Sequence, residues 1–181
     1  MLKNYEARHI FMAIAIVILV ISPVLLLLGP AFVANTLYHT TEDWHIFVPG
    51  VAYLFYGIGF LFLVLSPAII FILNIGKKSL IFCLFFLLLS GISFYIASGP
   101  HTSLTNNSIS YQLLFSTEKH TYSWDEVEKA IYYEIPSDEG FSKYEFFFSD
   151  GTSMELSENG HIAGLREHIR LKVPVESIRV E

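Results

Sequence analysis

Sulfur chemistry is almost missing from this chain: its single cysteine, Cys83, rules out an internal disulfide and any multi-cysteine zinc centre. Charge is missing where it would matter for transport. Residues 10–28, 46–75 and 80–97 contain no Asp, Glu, Lys or Arg, and an ion or proton path through a membrane normally needs one such group as its site. Catalytic signatures are missing as well. No Gly-x-Ser-x-Gly elbow, glycine-rich phosphate loop or His-Glu-x-x-His occurs. Cys83 sits inside the third run, away from any histidine that could activate it. The reading is a protein that is not an enzyme, with no cofactor and no resident metal.

The three uncharged runs are the strongest positive signal. At 1.5 Å of rise per helical residue even the shorter two reach roughly 27–28 Å, close to the hydrocarbon thickness of a bilayer. They predict an all-α membrane half, residues 1–99, with three transmembrane helices at about 10–30, 46–75 and 79–98. The first run is long for a signal peptide and no small-x-small cleavage site follows it, so it reads as an uncleaved anchor.

Charge then divides the molecule. Residues 1–97 hold Lys3, Arg8, Lys77 and Lys78 against Glu6, Glu42 and Asp43, a net of +1. Residues 98–181 hold 7 basic against 14 acidic side chains, a net of −7, which completes the chain's −6. The basic residues flank the start of the first run and the turn between the second and third. By the positive-inside rule the amino terminus is expected in the cytoplasm and the C-terminal domain outside it. The acidic balance argues against nucleic acid as a partner. Arg166, Arg170 and Lys172 read as a solvated helix face near its C-terminus rather than a binding patch.

Within the membrane half, Val20-Ile-Ser-Pro23 and Val64-Leu-Ser-Pro67 resemble each other, by duplication or by chance. Pro23 and Pro67 each free a carbonyl, which predicts a kink or wide turn, with Ser22 and Ser66 placed to satisfy freed backbone groups. Gly50, Ala52, Gly57 and Gly59, with Ser90, Gly91 and Ser93, allow close helix approach or self-association. Tyr38, Trp44 and Tyr95 fall at expected interfaces. His39, Glu42, Asp43 and His45 share one connection, but their spacing fits no closed zinc pattern. His161 and His168 lie two helical turns apart, too far for one ion, and His101 and His120 have no recognisable partners.

The second half, residues 100–181, reads as a small α+β or antiparallel β domain. After a polar linker at 101–107, residues 108–115 alternate with period two, and 120–123 forms a second strand. Ser123 to Glu126 fits a capping box, predicting one helical turn over 124–128 that passes into a strand. In the following hairpin a two-residue turn would set Phe146 against Glu155. A three-residue loop, 149–151, instead pairs Phe148 with Thr152, Phe146 with Met154 and Tyr144 with Leu156. Gly151 then takes the left-handed position. Ile162, Leu165 and Ile169 recur at helical spacing, Pro174 ends that helix, and 175–180 is a last extended piece.

Ser108-Ile-Ser-Tyr111, then Tyr122-Ser-Trp124-Asp-Glu-Val127, then Tyr144 to Phe148 with Asp150-Gly151 and a closing helix resemble bacterial pleckstrin-homology-like (PH-like) domains. In that family a Trp-x-x-Val strand follows the first hairpin, here carried by Trp124, and the domain is often joined to membrane spans. The resemblance implies a protein-interaction or assembly module and supplies no catalytic residues. It departs from the family in showing fewer strands than a seven-stranded barrel needs, and in a domain expected outside the cytoplasm. The expected partners are therefore the lipid bilayer and a protein or a second copy. Two alternatives stay open: a membrane immunity or stress-response factor, and an envelope small-molecule binder. Pro23, Pro67, Trp124 and Gly151 are the structural positions this reading singles out.

Overall fold

The computed structural model describes residues 2–136, 138–158 and 160–180, with the side chains of 2–6, 160 and 161 also outside the description. Lys3 and His161 thus lie outside the described side chains. The elements run α1 (Leu2–Tyr38), β1 (Asp43–Phe47), α2 (Gly50–Leu73), α3 (Lys77–Ser98), β2 (His101–Thr105), β3 (Ser108–Gln112) and β4 (Lys119–Ser123). A 3-10 turn (Trp124–Glu126) follows, then β5 (Val127–Glu134), β6 (Lys143–Phe148), β7 (Ser153–Ser157), α4 (Gly160–Lys172) and β8 (Val175–Arg179). Two compact units result. One comprises Met1–Thr41, Ile46–Thr102 and Tyr111–Lys119, and the other Glu42–His45, Ser103–Ser110 and His120–Glu181. The division does not fall at a single point near residue 100, because unit boundaries lie inside β1, β2, β3 and β4.

Three helices are long and apolar enough to cross a membrane: Ala7–Tyr38, Gly50–Leu73 and Lys77–Ser98. The first extends well past the expected residue 30. The second begins at Gly50 rather than 46, because Pro49 starts it and Ile46-Phe47 belong to a strand. Neither proline pair breaks its helix: α1 runs through Pro23 and Pro30, and α2 through Pro67. At Pro23 the freed carbonyl is that of Leu19, and Ser22 donates its hydroxyl to it at 3.0 Å. Ser66 behaves differently. It bonds across to α3, donating to the Cys83 carbonyl at 3.1 Å and lying 3.0 Å from its sulfur.

Serine hydroxyls of α3 answer from the other side, Ser90 to the Gly59 carbonyl at 2.8 Å and Ser93 to that of Phe55 at 2.7 Å. Gly59 is what permits this approach, since a Cβ there would lie 2.7 Å from the Phe94 ring. By contrast Gly50 and Gly91 face open space. At the opposite helix ends Arg8 donates to Asn74, which terminates α2 with φ 61°, and Ser79 closes the Gly76 turn that starts α3.

The strands form two four-stranded sheets, ordered β1-β2-β3-β4 and β7-β6-β5-β8. In the second, β5, β6 and β7 are antiparallel, with Tyr144 opposite Leu156 and Phe146 opposite Met154. Phe148 donates its amide to Thr152 across a three-residue loop whose Gly151 has φ 83°. That register gives strand burial an alternating pattern and makes Tyr144, Phe146 and Phe148 the most enclosed large side chains. Ile162 and Ile169 of α4 complete the core with Leu104 and Ile109.

Three sequence expectations need correction, and a fourth gains a partner. Residues 101–105, read as linker, form β2; 43–45, read as a membrane connection, and 46–47, read as the start of the second membrane helix, form β1. The strand over 108–115 stops at Gln112, since Leu113 and Phe115 are exposed and Phe115 has φ 64°. The extended tail is β8, paired parallel to β5 from Ala130↔Val175 to Glu134↔Arg179. The sheet is therefore mixed, as a strand returning through a helix demands.

Candidate functional site

The membrane unit contains a groove built by residue spacing. Leu25, Gly29, Val33 and Leu37 recur every four residues and so form one ridge of α1. Tyr56 and Phe60 of α2 lie one turn apart, and Phe94, Tyr95 and Ser98 come from the last turn and a half of α3. Together they line a groove of about 510 Å³. Its aromatic floor is internally packed, with the Phe60 and Phe94 rings edge to face at 5.0 Å and Tyr56 5.8 Å from Phe94. Gly29 supplies the room, because a Cβ at that position would meet nothing within 4 Å.

Tyr95 and Ser98 also border a second, more polar pocket of about 260 Å³, so the two spaces adjoin. Tyr38, Gln112, Ser116 and Thr117 bring hydroxyl and amide groups to it. Its walls are held by short bonds. The Tyr38 hydroxyl donates to the Ser98 carbonyl at 3.0 Å, and Gln112 donates to the Ser116 carbonyl at 2.7 Å. Tyr38 stacks face to face on His101, centroids 3.8 Å apart, and His101 bonds the Gly99 carbonyl through Nδ1 at 2.8 Å. Phe115 at the rim leans edge-on against Phe55. Its left-handed backbone costs of order 1–2 kcal/mol for a residue with a side chain. Such strain persists only where surroundings fix it. Among the described residues no Asp, Glu, Lys or Arg lines either space.

In the other unit, polar side chains tie elements together. Tyr132 donates to Glu158 at 2.5 Å, and Arg166 bridges both, at 2.8 Å to Glu158 and 3.1 Å to the Tyr132 oxygen. Burial, and then the bond to the Glu158 carboxylate, raise the Tyr132 hydroxyl above the ordinary tyrosine range. This is a clasp holding α4 to β5. Tyr122 and Thr152 converge on Asp150 in the hairpin loop, and the Thr152 hydroxyl, first among the causes, lowers the Asp150 carboxyl. Trp44 donates to Asn106 at 2.8 Å and lies against Trp124 and His168, while Ser103 donates to Asp43. Among the described residues no group of three or more His, Cys, Asp or Glu side chains is placed to hold a metal ion.

The positions singled out from sequence are scattered by the fold. Pro23 lies on α1 and Pro67 is buried in α2. Trp124 is buried, its indole donating to the Thr105 carbonyl at 3.0 Å, and Gly151 turns the hairpin. The groove and its rim escaped the sequence reading. One signal was present: Leu114 interrupts the alternation of 108–115 just where the strand ends.

β8 lies at one edge of its sheet. The Ala130 amide donates to the Pro174 carbonyl and the Val180 amide to that of Glu134, which points the even positions 174–180 toward β5. Val175, Ser177 and Arg179 therefore turn their backbone donors and acceptors outward. No known family, curated protein or solved structure matches the chain.

Proposed function

We propose that the chain is a multi-pass membrane protein whose β lobe, PH-like in kind, docks a protein partner beside the bilayer. Its activity is binding, with no chemistry of its own, and the docking mode is strand addition at the outer edge of β8. The observation that carries this is the exposed five-residue edge with three outward-facing backbone positions and no covering element among the described residues. An edge of this sort is a template for another strand. The PH-like reading draws support from the seven strands β2–β8, more than the sequence pattern marked, and from the helix after β7. The basic residues of the cytoplasmic-type turns favour a lobe on the outer side.

Ser177→Pro tests the edge. Proline there removes an outward N–H and leaves the even-numbered bonds to β5 intact, a position edge strands tolerate. In cross-linked native membranes the parent should give one discrete adduct, and Ser177→Pro should lose it at unchanged thermal stability. Adducts identical in the two, or none in the parent, would overturn the proposal.

A further inference from the structure

Apart from the docking edge, the membrane unit holds a space shaped for an amphiphile. The groove follows α1 from Leu25 to Leu37, about 18 Å at 1.5 Å per residue, which is close to one leaflet of a ~30 Å hydrocarbon core. At its end it adjoins the polar pocket through Tyr95 and Ser98. We propose that groove and pocket together bind one uncharged glycerolipid of the diacylglycerol class, an acyl chain along α1 and the glycerol head in the pocket.

Three observations choose this occupant over others. The groove lies on helices that are long and apolar enough to cross a membrane, so its neighbours there are lipid chains. A partner helix crossing the bilayer would present about 20 residues, roughly 30 Å, whereas the groove follows α1 only from Leu25 to Leu37, about 18 Å. With Tyr38, Ser98 and Ser116 holding its walls, the pocket offers the Tyr95 and Thr117 hydroxyls and the second amide hydrogen of Gln112, and among the described residues no basic side chain. A phosphate would enter it unpaired, at a high desolvation cost, whereas hydroxyl and ester oxygens find neutral partners. Tyr95, 78% exposed, stands where the two spaces meet, with an apolar ring and a polar tip.

The test uses the full-length protein in detergent and native mass spectrometry, offering dioleoylglycerol and dioleoylphosphatidylglycerol at equal mole fraction. A one-to-one dioleoylglycerol adduct should dominate by at least tenfold. Gly29→Phe, which fills the groove without a clash at Cβ, should lose it, and Gly91→Phe, at an open site, should keep it. Should Gly29→Phe fail to fold, Tyr95→Trp, a near-isosteric change at a residue lining both spaces, provides a second readout. Its added fluorescence should be quenched by brominated dioleoylglycerol with saturation at one equivalent. Equal binding of the two lipids, an adduct that survives Gly29→Phe, or quenching that never saturates would overturn the proposal.

Discussion

A Cβ at Gly59 would lie only 2.7 Å from the Phe94 ring, while one at Gly91 would meet nothing within 4 Å. Gly59→Ala should therefore cost about 1–3 kcal/mol through overpacking, seen as a lower melting temperature in detergent, and Gly91→Ala should cost nothing. From sequence the two glycines looked alike, because both stand in apolar helices among small residues; only the facing ring separates them. Asp150 supplies a pH-dependent counterpart in the lobe. Its folded carboxyl is lowered by the Thr152 hydroxyl, the Thr152 amide and the Tyr122 hydroxyl. Its stabilising effect is thus complete above the ordinary carboxylate range and lost as pH falls through the depressed folded value. Asp150→Asn should lower the melting temperature at pH 7, and the gap from the parent should close in acid.

The β6–β7 hairpin was legible because its information is local: alternating aromatics, an Asp-Gly pair, and a charge that forbids the shorter loop. Deleting Thr152, with the three-residue loop kept, should carry Glu155 opposite Phe146 and turn one face of β7 the wrong way. Loss of amide-exchange protection across β5 to β7 is the expected reading, while Ser149→Gly should stay within about 0.5 kcal/mol of the parent. Strands β1 and β2 were not legible in the same way. His101-Thr-Ser-Leu-Thr105 is polar and short, and its pairing is to segments far away in sequence. β8 was legible as an extended piece after Pro174, but its exposed side chains carry no apolar period to show that it pairs parallel to β5. The groove was hidden for a related reason. A four-residue ridge with a glycine in it is invisible inside a run where every residue is apolar.

For the molecule as a whole, the sparse charge of the membrane half carries a directional prediction. Arg8 with Lys77 and Lys78 should keep their helix ends inside, which puts the hairpin loop outside. In a Cys83→Ser background, Ser149→Cys should react with a membrane-impermeant maleimide on intact cells, and Lys78→Cys only after permeabilisation. The reversed pattern would move the lobe to the cytoplasm without altering its fold. The three spans themselves were plain from composition, since runs of apolar residues need no partner to be recognised. The interleaving of the two units was not, because it depends on which distant strands pair.

β1 is made early and answered late. Its neighbour in the sheet, β2, lies beyond two further helices, about 50 residues downstream. At ~5–20 residues per second, synthesis of that stretch takes roughly 3–10 s. For that interval the ribosome has released a strand with no complement, so maturation of the lobe is timed by insertion of α2 and α3. Slowing translation across those helices should lengthen the window in which a chaperone or a protease can seize the nascent chain.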